Sequence, residues 1–130
     1  MNLDGQLFEH YSLVPMYQWR WPHFKPSEIA CRHCGELLIN EDFLDKLEIQ
    51  RVASGEAIVL SSAYRCPTWN AMVGGAPLSE HKLAKAGDQA LKGRDRGPVV
   101  ASARASGFTG IGFYKTFIHA DTGRRREWGR

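Results

Sequence analysis

The segment from Asn40 to Gly55 constrains the fold more than any other, because the sequence marks both of its ends. Asn40 is a favourable helix cap, and Glu41 and Asp42 place negative charge in the first turn. Gly55 suits the residue that follows a helix. A long helix is therefore predicted between these two ends. In a chain of 130 residues, this helix and the elements beside it fill one compact domain over residues 1–130 and leave little room for a second.

Shorter elements are predicted around this helix. They are a buried strand at residues 57–60, a short helix at 69–73, a helix at 99–106 and a strand at 117–121. Side-chain alternation on the last strand places Phe117, His119 and Asp121 on one face. Residues 1–25 are rich in aromatic side chains and are interrupted by prolines, so they are predicted to form an irregular arm over the core.

The formal charge of +3 comes mainly from arginines near the end of the chain, at positions 124, 125, 126 and 130. A basic tail favours any polyanion and is equally typical of a solvated surface, so it identifies no partner. Neither a complete zinc finger nor a basic recognition face is found, and nucleic-acid binding is not expected.

His81, Asp88 and His119 form a credible set of metal ligands. Two imidazole nitrogens and a carboxylate oxygen suit zinc, and three protein ligands leave a fourth position for water, as a hydrolase requires. On a continuous helix His81 and Asp88 would lie roughly 10 Å apart, so the chain is predicted to turn between them and to continue as a strand. Spacing alone is also compatible with a histidine and a carboxylate at the surface or in the core.

Three blocks of sequence occur in an order typical of one family. They are Ser61-Ser-Ala-Tyr-Arg-Cys-Pro67 with Gly74-Gly75, then Ser79-Glu-His-Lys-Leu-Ala-Lys-Ala-Gly-Asp88, then Phe117-Ile-His-Ala-Asp-Thr-Gly123 with Trp128. Together they resemble the M15 zinc peptidases, a group of D-alanyl-D-alanine carboxypeptidases and endolysins that shares its fold with the hedgehog signalling domain. One position departs from the family pattern, since Ala84 stands where the pattern has Gly.

The resemblance implies an α+β fold in which a small antiparallel sheet carries the zinc site and packs against helices. It also implies one catalytic Zn²⁺ ion bound by His81, Asp88 and His119. Such an ion lowers the pKa of its water and polarises the scissile carbonyl, while a carboxylate accepts the proton of the water.

The other roles follow from the same resemblance. Many relatives carry an acid three residues before the last histidine, where this chain has Thr116, which cannot act as a base at neutral pH. Asp121 is therefore predicted to be the base, with orientation of a ligand histidine as the alternative. Arg65 is predicted to bind the substrate carboxylate or the developing oxyanion. Ser79 and Tyr114 are predicted at substrate-binding positions, with loop bracing and packing as their alternatives.

The three cysteines, Cys31, Cys34 and Cys66, are an odd number for a disulfide framework, so reduced thiols or a metal site are favoured. Cys31 and Cys34 have the spacing of half a structural zinc site, to which Cys66 or His33 would add ligands. Structural thiols near the surface are the favoured interpretation, and a second, structural zinc ion is the alternative.

These features predict a monomeric zinc peptidase that hydrolyses peptidoglycan stem or cross-bridge peptides, of the D,D or L,D type. The sequence lacks both a membrane-spanning run and the pattern of a signal peptide. We therefore expect synthesis in a host cytoplasm, no membrane insertion, and action at the cell wall after release, as in a phage endolysin. The alternative is a non-catalytic, zinc-containing wall-binding module of the same fold, which Thr116 in place of an acid would permit.

Overall fold

The computed structural model describes residues 3–129 and has an α+β fold. Within these residues the α-helices are α1 (Pro26–Ile29), α2 (Glu41–Ser54), α3 (Pro67–Met72) and α4 (Arg96–Ala105). The strands are β1 (Leu7–Phe8), β2 (Leu37–Leu38), β3 (Leu60–Ser62), β4 (Ala86–Ala90), β5 (Gly110–Phe113), β6 (Phe117–Asp121) and β7 (Arg126–Trp128). In the described part of the chain, no helix has both the length and the apolar character needed to cross a membrane.

The main sheet has five strands in the order β3-β4-β6-β5-β7. The pairs β3/β4, β4/β6 and β5/β6 are antiparallel, whereas β7 is parallel to β5. The prediction of an antiparallel sheet is therefore wrong for its last strand. The chain reverses after β6, so β7 runs opposite to β6 and thus in the direction of β5. A separate antiparallel pair is formed by β1 and β2.

Helix α2 forms as predicted and provides much of the core. The side chain of Asn40 accepts a hydrogen bond from the backbone N–H of Phe43 at 3.0 Å, and Gly55 adopts the left-handed conformation at the other end. Phe43, Leu44 and Leu47 are buried. The helix lies close to β4 because Gly87 has no side chain, since a Cβ atom there would lie 3.1 Å from the Phe43 ring.

Three predicted elements have different bounds in the structure. The helix predicted at residues 69–73 is α3, Pro67–Met72. The strand predicted at residues 57–60 begins only at Leu60, because β3 is an edge strand and Val59 is 62% exposed. Helix α4 begins at Arg96 rather than at Val99. Pro98 lies in its first turn, where the missing N–H of proline would have no partner within the helix.

The N-terminal segment is irregular but contributes to the core. Apart from β1 it forms two 3-10 turns, Tyr11–Leu13 and Met16–Gln18. Trp21 is only 1% exposed, and its indole N–H donates to Asp45 on α2 at 2.8 Å. Arg20 binds the same carboxylate. The aromatic arm is therefore attached to the long helix. Residues 1 and 2 lie outside the described part of the chain.

The turn between His81 and Asp88 depends on one left-handed residue. A 3-10 helix, Glu80–Leu83, precedes β4, and Ala84 joins them with φ +58° and ψ +28°. Ala84 is the one non-glycine residue with positive φ among residues 3–129. The family pattern has Gly at this position, and the observed backbone explains why, since glycine adopts this conformation without steric cost.

We expect Ala84→Val to destabilise the fold and Ala84→Gly to leave its stability close to that of the wild type. The left-handed conformation costs an L-residue about 1–2 kcal/mol, and a β-branched side chain tolerates it worst. Glycine removes this cost but loses a buried methyl group worth about 0.8 kcal/mol and adds about 0.4–1 kcal/mol of entropy to the unfolded chain. Urea unfolding of the three proteins measures the difference, and a valine variant as stable as the wild type would contradict it.

Candidate metal centre and active-site cleft

Three elements bring the predicted metal ligands together. Asp88 on β4 lies directly opposite His119 on β6 in the strand register. The left-handed turn at Ala84 brings His81 back over the start of β4. As a result, one ligand atom from each of His81, Asp88 and His119 lies within 4.8 Å of the others.

The inner nitrogens of the two histidines face the same carboxylate oxygen. His81 Nε2 lies 3.2 Å and His119 Nδ1 lies 3.3 Å from Asp88 Oδ1. The three side chains are nearly buried, with 2%, 5% and 9% of His81, Asp88 and His119 exposed. These contacts with the two histidines outweigh the effect of burial and lower the pKa of Asp88 to about 2. Asp88 is therefore ionised at neutral pH, as a metal ligand must be.

The outer nitrogen of each histidine is held by a different group. His81 Nδ1 lies 2.6 Å from the carbonyl oxygen of Ala63, and His119 Nε2 lies 2.6 Å from Asp121 Oδ2. An outer hydrogen bond of this kind fixes the tautomer of a metal-binding histidine and directs its other nitrogen to the ion. The residues present therefore fit a zinc ion, since two nitrogens and one oxygen converge and both rings are oriented.

Asp121 is a fully buried carboxylate whose two oxygens are already engaged. Besides His119, it accepts hydrogen bonds from Arg126 at 2.9 and 2.8 Å and from the backbone N–H of Gly123 at 3.0 Å. These bonds outweigh the effect of burial and hold the pKa of Asp121 far below its ordinary value. A general base must reach the proton that it accepts, whereas Asp121 lies behind the His119 ring. Its position favours the orienting role over the predicted role of base.

The candidate ligands form part of a cleft with a volume of about 570 Å³. The predicted site residues Arg65, Ser79 and Tyr114 all line this cleft. The Arg65 guanidinium lies on its wall, 3.4 Å from Asp88 Oδ2 and 3.4 Å from the side-chain oxygen of Asn70. The structure thus brings the predicted substrate-binding residues to the ligand set, with Asp121 behind it.

Ser79 and Tyr114 also make contacts within the protein. The Ser79 hydroxyl accepts a hydrogen bond from the backbone N–H of His81 at 3.2 Å, which caps the 3-10 helix. The Tyr114 ring stacks on Phe117 with ring centres 4.5 Å apart, and its hydroxyl accepts from the Trp128 indole at 3.1 Å. Both residues support the rim of the cleft while leaving polar atoms close to it.

Sequence reasoning missed the roles of two further residues of this site, Arg126 and Trp128. The sequence indicates a basic tail that includes Arg126, yet its guanidinium turns inward and donates to Asp121. Trp128 lies against His119, with ring centres 5.1 Å apart. Both side chains belong to β7, where alternation over two residues places them on one face, so recognition of this short strand would have found them. Arg130, at the end of the predicted tail, lies outside the described residues.

A further residue of this site is Glu80. It lines the same cleft, and its carboxylate lies next to Gly123, where a Cβ atom would come within 2.9 Å of it. Its Oε2 atom is buried and has no hydrogen-bond partner among residues 3–129. A buried carboxylate oxygen without a partner is costly, and its presence beside a ligand set points to a role in the cleft.

Comparison with known proteins agrees with this geometry. A family model described as peptidase M15 matches residues 22–121. The chain belongs to the M15 peptidase family. M15 peptidases are zinc-dependent metallopeptidases, and the matched segment contains the three candidate ligands, Arg65 and Asp121. Strand β7 lies beyond the matched segment. No curated protein matched the chain.

We expect zinc affinity to fall as the pH is lowered. Burial acts to lower the pKa of His119, but its hydrogen bonds to Asp121 and Asp88 outweigh burial and raise that pKa above its ordinary value. Zinc must displace the proton of the His119 ring to bind. Zinc affinity therefore reaches its maximum above the raised pKa of His119 and falls about tenfold per pH unit below it for each proton displaced. Zinc titrations at several pH values measure this, with His81→Ala as a weak-binding control. Equal affinity over the acidic range, or equal zinc content in both proteins, would contradict the ligand assignment.

Proposed function

We propose that this M15 peptidase cleaves peptide bonds in the stem peptides or cross-bridges of bacterial peptidoglycan. The observation that carries the proposal is the convergence of His81, Asp88 and His119 at a cleft that also contains an arginine and a carboxylate with one oxygen free of hydrogen bonds. This combination provides a metal site, a group for substrate charge and a proton acceptor, which are the parts that a metal-dependent peptidase needs.

His81 Nε2, His119 Nδ1 and an Asp88 oxygen would hold the zinc ion. A bound zinc ion supplies Lewis acidity toward the scissile carbonyl and lowers the pKa of a coordinated water. The protein contributes the fixed geometry. Ala63 and Asp121 keep the two rings oriented, and burial of the ligands excludes competing water from their outer sides.

Arg65 is assigned to the substrate. Its three nitrogen positions reach Ser62, Asn70 and Asp88 at 3.2–3.4 Å, distances longer than those of strong charge-assisted hydrogen bonds. The guanidinium is therefore held at the cleft wall by weak contacts and remains available to a substrate carboxylate or to an oxyanion.

We place the proton acceptor at Glu80 and give Asp121 the orienting role. Asp121 is saturated by Arg126 and His119 and does not line the cleft, whereas Glu80 lines it and has an oxygen without a partner. Thr116, which replaces the acid of many relatives, lies exposed between β5 and β6 and offers no carboxylate. Glu80 is the acid of the cleft lining that is left for this role once the ligand Asp88 is set aside.

The proposed biological setting is lysis of a bacterial host cell. The protein would act as a monomer on the cell wall as a phage endolysin, made in the host cytoplasm and released at lysis. Its net charge of +3 suits approach to anionic wall polymers. The proposed reaction is hydrolysis of a peptide bond of the D,D or L,D type.

We expect zinc-loaded protein to release peptide fragments from purified peptidoglycan, and His81→Ala to release none. Mass analysis of the fragments identifies the bond, because a carboxypeptidase releases single amino acids and an endopeptidase opens cross-links. Binding to peptidoglycan without fragments, in protein whose zinc content is verified, would favour the wall-binding module instead.

Two matched variants separate the roles of Glu80 and Asp121. Glu80→Gln should bind zinc normally and lose a factor of roughly 10² to 10⁴ in rate, because it cannot accept a proton. Asp121→Asn should bind zinc about 10- to 100-fold more weakly and recover activity at saturating zinc. The readout is the hydrolysis rate at measured zinc content. An inactive, zinc-saturated Asp121→Asn protein beside an active Glu80→Gln protein would return the base to Asp121.

A further inference from the structure

The three cysteines meet at one point away from the cleft residues. Cys31 and Cys34 lie in the turn after α1, and Cys66 lies immediately before α3. Their sulfur atoms are nevertheless within 4.8 Å of one another, and all three are free thiols. Two sulfurs on one tetrahedral zinc ion lie about 3.8 Å apart, given Zn–S bonds of about 2.3 Å, so small side-chain movements bring this cluster to the geometry of a zinc site.

The backbone around the sulfurs is arranged for this cluster. The N–H of Gly35 donates to the Cys31 carbonyl at 2.9 Å, which closes the turn and brings Cys31 and Cys34 to the same side. Gly35 has φ +79°, so the turn uses a conformation that glycine adopts without strain. The N–H of Trp69 donates to the Cys66 sulfur at 3.3 Å, a contact that stabilises a thiolate.

The thiols differ in acidity. Burial acts to raise the pKa of Cys31, but backbone N–H groups of Cys66, Cys34 and His33 outweigh it and lower that pKa. Burial and the neighbouring thiols raise the pKa of Cys34 to about 11. A metal ion that bound all three sulfurs would release the remaining thiol protons to solvent.

We propose that Cys31, Cys34 and Cys66 bind a structural zinc ion that is separate from the metal of the histidine site. Three thiolates give the sulfur-rich ligand set that zinc prefers in structural sites. Cys34 is exposed, so the fourth position of a tetrahedral zinc ion held by these sulfurs would face solvent. The odd number of thiols fits this site better than a disulfide, which would leave one sulfur unpaired.

Such an ion joins two segments that support the catalytic cleft. Cys66 follows Arg65, whose backbone N–H donates to the carbonyl of His81 at 3.1 Å. On the other side of the cluster, the Tyr64 hydroxyl donates to Glu36 at 2.7 Å. Zinc at the cysteines would thus stabilise the loop that carries Arg65, without taking part in the reaction.

Zinc stoichiometry tests the proposal. Protein purified under reducing conditions without chelators should contain two zinc ions per chain, and His81→Ala should contain one. Cys34→Ser is the matched variant, since Cys34 is exposed and its replacement disturbs packing least; it should also contain one, and the double variant none. A wild type with one zinc ion, or Cys34→Ser protein with as much zinc as the wild type, would overturn the proposal.

Cobalt substitution identifies the ligands without relying on stability. Sulfur-to-cobalt charge-transfer absorption should appear in wild-type and His81→Ala protein and should be lost in Cys66→Ser. Its absence from cobalt-loaded His81→Ala protein would refute the cysteine site.

A Cys31→Ser/Cys34→Ser protein should melt at a lower temperature and keep peptidoglycan hydrolysis when folded. A folded double variant that retains two zinc ions would also refute it. These metal measurements do not depend on the identity of the substrate.

Discussion

The antiparallel pairing of β4 with β6 is the interaction on which the site depends. Its register places Asp88 opposite His119 and Ala86 opposite Asp121. These two pairs are neighbours on one face of the sheet, so the register positions both the candidate ligand pair and the carboxylate behind it. A shift by one residue would turn every side chain of β4 to the other face. The opposite face of β4 carries Gly87 and Gln89, and both meet α2.

Packing against α2 therefore fixes the register of the site. Phe43 occupies the space that a side chain at position 87 would need, and Gln50 exchanges two buried hydrogen bonds of 2.8 Å with Gln89. A slipped strand would leave these buried amide groups without partners, which costs about 1–3 kcal/mol for each group. One face of β4 thus packs in the hydrophobic core, and the other face carries the metal centre.

Much of this arrangement could be predicted from local sequence. Helix α2 has clear signals at both ends, β6 alternates cleanly, and the turn before Asp88 follows from the reach of a metal ligand. Strand β3 begins later than the sequence predicts, because an apolar run does not distinguish an edge strand from a central one. Alternation could not predict the role of Asp121. Phe117, His119 and Asp121 share one face of β6, yet the first two line the cleft and Asp121 lies behind it. Only the position of Arg126 distinguishes them, and a strand as short as β7 has almost no periodic signal.

The two proposed ligand histidines differ in how they are oriented, and this difference affects how the site tolerates mutation. His81 is held by the carbonyl oxygen of Ala63, a main-chain group that every amino acid supplies, so substitutions there cannot delete it. His119 is held by a side chain, Asp121, which in turn depends on a second side chain, Arg126. A single amino-acid substitution at Asp121 or Arg126 can therefore alter the basicity of the His119 ring. No single substitution removes the main-chain carbonyl that orients His81. Variation in metal affinity among relatives should accordingly accumulate on the β6–β7 side of the centre, while the His81 side stays constant.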